Sequence, residues 1–427
     1  MTTWRPTHVL VRAILLASAL VVAAVLLGRP DLLVLAAPFA VHTVAALTRR
    51  PTRVPQAESR LGHAWVREGQ GTRLRTMLHD ASDVEHAVVA LASSAYVATR
   101  PRGGVARTFP RAARRRTLDV EVASLRWGRR PAADGVTGAT SGWAGFAWGP
   151  MALSSMVLTT LPIPGPFAAR APVPHPIGLV GTNPARRPGD GSEFAGIRPF
   201  AAGDRLRRIQ WPVSLRTGRL HVTTTVAEED SSVLLLVDAS VEVGQSGGVR
   251  GSTSSLDVAV RAAGAVAEHY LSRGDRVGLR VLGVPAGAVV HLGSGARHLR
   301  RLMDTLARVT PGGRSEQVVP RFHVPAGAVV LVFSPLLADV PVTAATTLAH
   351  RGLPVIVVDS LPADLDLADE STVGRLAWRM RRLERDQLVL RIERAGIPVV
   401  AWRGPGTLDA VLRRLARRPP IAAGARR

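Results

Sequence analysis

The sequence predicts an α+β multidomain protein: an amino-terminal transmembrane helical hairpin, then a β-sandwich-like module, then a doubly wound α/β domain. Three observations carry this. Two charge-free apolar runs, Ala13 to Leu27 and Leu32 to Leu47, stand side by side near the start. Short strand-like segments broken by Gly, Pro and Arg fill residues 54–180. From Ser232 onward, runs rich in Val and Leu alternate with amphipathic helical stretches, the pattern of a parallel sheet covered on both faces.

The first apolar runs hold fifteen and sixteen residues, separated by Gly28-Arg29-Pro30-Asp31. Each is shorter than the roughly 20 residues a membrane span takes. Thr7 to Ala13 lengthens the first if Arg12 snorkels to the headgroups. A signal peptide would use Arg5 and Arg12 as its charged region, but no small-residue cleavage site follows Leu27 and a second apolar run does. Arg5 and Arg12 precede the hairpin, Arg49, Arg50 and Arg53 follow it, and Arg29 in the turn is offset by Asp31. The excess of Arg at both ends places them inside. The expectation is a two-span protein of the inner or plasma membrane with residues 54–427 in the cytoplasm. The segments read as 1–53 hairpin, 54–180 β-rich module, 181–230 junction and 231–420 α/β domain.

In the middle region, Ala64 to Val66, Val84 to Ala92, Leu118 to Leu125, Gly145 to Trp148 and Leu153 to Thr160 read as strands of a small antiparallel sandwich. Pro162, Pro164, Pro166, Pro172, Pro174 and Pro176 then make a stiff extended linker. In the carboxyl half, strands are expected at Ser232 to Asp238, Arg276 to Gly283, Ala288 to Leu292, Ala328 to Ser334, Pro354 to Asp359 and Ile397 to Trp402. Helices are expected at Ser255 to Ser272, Arg297 to Val309, Thr343 to Arg351, Val373 to Ala395 and Thr407 to Arg418. In the helix from Val373, residues Leu376, Met380, Leu383, Leu388 and Ile392 read as one sheet-covering side, with Glu384 and Arg385 among the solvated charges.

Composition removes several chemistries. The chain has no Cys, so disulfides, thiolate metal sites and thiol nucleophiles are excluded. It has no Lys either: all 55 basic residues are Arg, which excludes a Walker-A lysine and a lysine Schiff base. The net charge of +23 invites nucleic-acid binding, but residues 1–230 carry 29 Arg against 15 acidic residues and residues 231–427 carry 26 against 17. Such spread, without interleaved aromatics, fits a face near an anionic membrane better than a nucleic-acid groove. Gly244 to Gly248 matches G-x-S-x-G in letters, but it does not join a strand directly to a helix as a nucleophile elbow must. There is no H-E-x-x-H, and no dinucleotide glycine motif follows a strand.

The densest stretch is 191–238. Glu193, Arg198, Gly203-Asp204, Arg207-Arg208-Ile209, Trp211, Ser214, Arg216-Thr217-Gly218 and Leu220 lead through an acidic run into the apolar strand that ends at Asp238. This order resembles the signature of the domain of unknown function 58 family. The resemblance implies a β-rich module before the signature and a von Willebrand factor A-like carboxyl half. In such domains an Asp-x-Ser-x-Ser run opens a divalent-metal site, here Asp238-Ala239-Ser240, with oxygen ligands suited to magnesium. The pattern is degenerate: position 242 is Glu, the loop Thr310 to Gln317 offers only Thr310 or Ser315, Ser334 stands where a second Asp is expected, and Asp339 lies five residues late. A strand-terminal Asp capping its own turn is the preferred reading of Asp238.

Two readings of the signature stay open: guanidinium forks on Arg198, Arg207, Arg208, Arg216 and Arg219 presented to a partner's carboxylates, or Asp204 and Glu193 pairing with those arginines at a structural joint that includes Trp211. The resemblance also implies companionship with a MoxR-type AAA+ ATPase. The expected function is a membrane-anchored, non-enzymatic adaptor in assembly or chaperone work. The alternatives are a metal-dependent hydrolase at the Asp238 loop and a membrane-proximal nucleic-acid binder.

Overall fold

A computed structural model of the chain describes residues 3–108, 113–132, 134–167, 184–201, 204–228, 232–284, 288–312, 324–325, 328–365 and 371–416. The expected linker residues Pro172, Pro174 and Pro176 lie outside them. The chain is a mixed α and β protein that divides into two compact units, residues 1–161 and 162–427.

The first unit opens with β1 (Arg5–Pro6), α1 (His8–Leu27) and α2 (Asp31–Thr48). Both helices are long and apolar enough to cross a membrane. Thr7 caps α1, its Oγ1 accepting from Leu10 N at 3.3 Å, and Gly28 ends it at φ 61°, where a side chain would be strained. Most of the α1 and α2 side chains are apolar and uncovered, which a water-facing helix avoids. The base of the hairpin is fastened within this unit: Thr7 N donates to Gly145 O at 2.9 Å, and Leu10, Ala46 and Phe146 form one small core. Gly145 is required there, since a Cβ would stand 2.7 Å from that of Ala46.

The strands that follow are β2 (Gln56–Leu61), β3 (Trp65–Arg67), β4 (Gly71–His79), β5 (His86–Leu91), β6 (Val97–Arg100), β7 (Val105–Thr108), β8 (Arg115–Ser124), β9 (Gly128–Pro131), β10 (Gly135–Ser141), β11 (Phe146–Ala152) and β12 (Val157–Leu161). They build three sheets, ordered β1-β11-β10-β5-β7, β2-β4-β8-β6 and β3-β12-β9. Every pairing is antiparallel except β3 with β12, so the module is not the purely antiparallel sandwich expected. In β4, Leu74 and Leu78 point into a core with Leu118, Val120, Val122, Trp148 and Leu158. The intervening Arg75 lies on the outer face and pairs with Asp119 of β8 at 3.0 Å. Burying each such Leu contributes about 1.5–3 kcal/mol.

The second unit contains β13 (Pro184–Pro199), α3 (Trp211–Thr217), β14 (His221–Glu228), β15 (Ser232–Asp238), α4 (Ser255–Ser272), β16 (Arg276–Leu282), β17 (Val289–Gly293), α5 (Ala296–Ala307), β18 (Val329–Ser334), α6 (Asp339–His350), β19 (Val355–Asp359), α7 (Thr372–Arg394), β20 (Val399–Ala401) and α8 (Asp409–Ala416). A six-stranded sheet runs β17-β16-β15-β18-β19-β20. Its pairings are parallel except at the β17 edge. Leu236, Val330, Val332, Val355 and Val357 share a core with α6 and α7 residues such as Val342, Leu348 and Ile392. The chain starts α6 at Asp339, four residues before the expected Thr343, because Pro341 falls in the first turn where its missing N–H costs nothing. Ser254 and Asp257 close a capping box on α4.

The helix α7 corrects the expectation for its face. Ile392 is buried and Leu388 packs on the core, but Leu376, Met380 and Leu383 are exposed. At 100° per residue, Ile392 lies roughly half a turn away from Leu376 around the axis, so these residues never formed one side.

Candidate functional site

The signature folds around an antiparallel ribbon. β13 and β14 pair with Arg198 opposite Val222 and Pro199 opposite His221. The connection closes on Asp204: Arg198 Nη1 donates to Oδ2 at 2.7 Å, Nη2 to Oδ1 at 2.6 Å, and Ala201 N to Oδ2 at 2.8 Å. This bidentate fork, with the Ala201 amide, holds the Asp204 carboxyl below the usual aspartate range. Leu206 to Arg208 form a short 3-10 turn before α3. Pro212 sits in the first turn of α3, and Gly218 ends the helix at φ 68°. Buried Ser214 ties α3 to the ribbon, its Oγ donating to Gln210 O at 2.9 Å and accepting from His221 N at 2.9 Å.

The arginines divide by environment. Arg198 is committed to Asp204 and Arg208 is half-buried, whereas Arg207, Arg216 and Arg219 are exposed. The Glu193 side chain and Gly203 lie outside what is described. Trp211 is 59% exposed, with Leu206 at 71% and Leu215 at 79%. The helix geometry explains this. α3 is two turns long, Ser214 takes the inward side, and Trp211 and Leu215, four residues apart, share an outward one.

A second polar cluster gathers where β15, β18 and β19 end. Asp238 is buried; its Oδ1 accepts from Ser240 N at 2.9 Å and its Oδ2 from Ser334 Oγ at 2.6 Å, while Leu336 N donates to Ser334 Oγ at 2.9 Å. Burial pushes the Asp238 carboxyl up, against the hydrogen bonds from Ser240 and Ser334. Glu242, in place of the expected serine, accepts from the α4 cap Ser254 Oγ at 2.5 Å. Asp359, at the end of β19, accepts from Leu361 N at 3.0 Å and pairs with Arg385 of α7, whose Nε donates to Pro335 O at 2.8 Å. Arg385 is thus an inward strut of the domain and not part of a charged outer face.

Among the described residues, the expected ligands are not gathered into a magnesium site. Asp339 opens α6 and lies 3.7 Å from Arg391 on the surface, Thr310 is exposed, and Ser315 lies outside the described residues. Among the described residues no group of three or more His, Asp or Glu is placed to hold an ion. One buried carboxylate that burial drives toward its neutral form, already accepting from two donors, is a poor ligand for a hard cation. The Asp238 to Ser334 bond links β15, the first strand of the sheet in chain order, to its neighbour β18, the fourth. Sequence reasoning placed Ser334 here but had no signal for Asp359 and Arg385, whose meeting depends on where α7 lands.

Replacing Asp238 by Ala is expected to cost about 1–3 kcal/mol, because Ser240 N and Ser334 Oγ lose their acceptor in a buried place. Asp238→Asn keeps an acceptor without the charge. An acid whose folded pKa is raised contributes stability in full below its unfolded pKa and loses it as pH rises through the folded one. Melting temperatures taken from acidic to mildly alkaline pH should therefore fall for the natural protein relative to Asp238→Asn.

The match to known proteins falls on these elements. Residues 196–376 match the family Protein of unknown function DUF58. The matched segment begins near the end of β13, takes in Asp204, α3, Asp238, Ser334 and Asp359, and stops within α7 before Arg385. The chain is also 31% identical over 122 residues to an uncharacterized protein of Mycobacterium bovis, a match covering 28% of this chain and 37% of that relative. Uncharacterized proteins of two Mycobacterium tuberculosis strains, CDC 1551 and H37Rv, match to the same extent. The matched stretch spans 37% of the length of these relatives.

Proposed function

We propose that this chain is a membrane-anchored, non-enzymatic adaptor whose DUF58 segment, facing the cytoplasm, recruits a protein partner, with a MoxR-type AAA+ ATPase as the candidate. The observation that carries this reading is the outward face of the signature: Trp211, Leu206 and Leu215 stand exposed beside the free-standing Arg207 and Arg216. Exposed Trp, interleaved with Arg and aliphatic side chains, is the composition of interface centres. A surface serving solubility alone would not place large apolar groups there. The apolar helices α1 and α2 support anchoring, and the Arg flanking them supports the cytoplasmic side. The sheet order with one antiparallel edge, and Asp238 at a strand end, support a doubly wound von Willebrand factor A-like reading of the second unit, with the metal chemistry replaced by internal hydrogen bonds.

The test is affinity capture of the full chain from native membranes. Trp211→Ala and Arg207→Glu should each weaken capture of the AAA+ ATPase by about 2 kcal/mol, roughly 30-fold, while leaving the melting temperature unchanged. Undiminished capture, or none by the natural chain, overturns the reading. A reporter fused after Arg427 that is active only outside the cytoplasm overturns the orientation.

A further inference from the structure

The helix α7 carries a second apolar surface, separate from the signature and independent of the adaptor reading. Its 23 residues span about 35 Å. One side is anchored: Ile392, Leu388 and Val389 pack on the sheet core, Arg385 reaches Asp359 and Pro335, and Arg381 donates to Leu337 O at 3.3 Å. The other side is open. Val373, Leu376, Met380, Leu383 and Leu390 are exposed, from 41% at Leu390 to 76% at Val373.

The spacing of these residues is informative. Val373, Met380 and Gln387 recur every seven residues, and so do Leu376, Leu383 and Leu390, offset by three. These are the a and d positions of a coiled coil, with Leu at every d and one polar a position of the kind that fixes register. The flanks agree. Arg379 and Asp386 fall at g, and Glu384 and Arg391 at e. In a parallel pair, each g residue meets the e residue five places on in the other helix, so Arg379 faces Glu384 and Asp386 faces Arg391. Both matches join opposite charges, and symmetry doubles them. Glu384 now pairs with Arg381 and Arg391 with Asp339, but these bridges are exposed and cost little to exchange. The same flanks set Arg379 and Arg391 against Glu384, Asp386 and Glu393, so they offer an anionic lipid surface no excess of positive charge.

We propose that α7 pairs in parallel with α7 of a second copy of this chain, in register through Gln387, making the protein a homodimer. The pairing completes the helix's uncovered side and joins the two copies along a two-fold axis.

The chain's lack of Cys makes the test direct. In the full chain, in membranes and in mild detergent, Leu376→Cys and Leu383→Cys should each form a disulfide-linked dimer with itself. Arg382→Cys, at a c position turned away from the seam, should not. Light scattering should give two copies per particle, and Leu383→Asp should weaken association at least about tenfold without shifting the melting temperature. Glu384→Arg should weaken it as well, and adding Arg379→Glu should restore it. A monomeric natural chain, equal cross-linking at Arg382→Cys, or adducts only to lipid or to another protein overturns the proposal. Failure of the double swap to rescue Glu384→Arg overturns the parallel register.

Discussion

Arg385→Ala is expected to lower the stability of the second unit by about 3–5 kcal/mol, the range found when one partner of a buried ion pair is removed. The Arg385 side chain is 13% exposed and that of Asp359 18%. Among the described residues, loss of the guanidinium leaves the Asp359 carboxylate with only Leu361 N as donor and strips Pro335 O of its Nε–H partner. Much of the loss comes from the stranded charge, so Arg385→Leu combined with Asp359→Leu should recover most of it. Arg385→Lys should fall between, since a single ammonium cannot reach both acceptors with the planar fork. The measurement is the denaturant midpoint of the full chain in detergent. A loss below about 1 kcal/mol for Arg385→Ala would place the pair among ordinary surface bridges. Because Arg385 fixes the middle of α7, this variant should also loosen the exposed seam, seen as faster proteolysis within the helix.

Gly283→Ala should be nearly as damaging, at about 3 kcal/mol or more, for two separable reasons. Gly283 has φ +79°, where an L side chain costs roughly 1–2 kcal/mol. In addition, its Cβ would stand 2.1 Å from Ser240 Oγ and 2.5 Å from Ser240 N and Cα, so the backbone after Asp238 must move. Gly218 isolates the first effect: it is left-handed at φ +68°, yet a Cβ there meets nothing within 4 Å. Gly218→Ala should cost only the conformational share. Equal losses at the two positions, compared by thermal or denaturant melts, would show that close packing of the Gly283 turn on Ser240 contributes nothing.

The readability of this fold follows the visibility of its periodicities. β15 was legible from Ser232 to Asp238 because an unbroken Val and Leu run has no other use in a sheet covered on both faces. β4, with the sequence Gly-Thr-Arg-Leu-Arg-Thr-Met-Leu-His, was not. Its arginines and threonines dilute the apolar signal, and only the burial of alternate residues, Thr72, Leu74, Thr76 and Leu78, reveals the strand. The ribbon of β13 and β14 was hidden for a related reason, since Pro, Gly and Arg in β13 are poor strand formers in isolation. Gly28 and Gly218 end α1 and α3 in the left-handed conformation that glycine favours at a helix C-terminus.

The polar sites divide in the same way. Asp238, Ser240 and Ser334 were identifiable as strand-end residues, because where a strand stops is a local matter. Whether Asp238 holds a cation or a hydroxyl depends on what β18 and the loops deliver to it, and Ser334 delivers a hydrogen bond. By itself the sequence determined the apolar helices α1 and α2, the alternation of strands and helices after Ser232, and the exclusion of lysine and cysteine chemistry. Only the tertiary structure decided that Trp211 points outward, that Arg385 points inward, and that half of the apolar residues of α7 are left uncovered. The physical reason is that periodicity records which residues share a face, whereas burial depends on whether another element arrives to cover it.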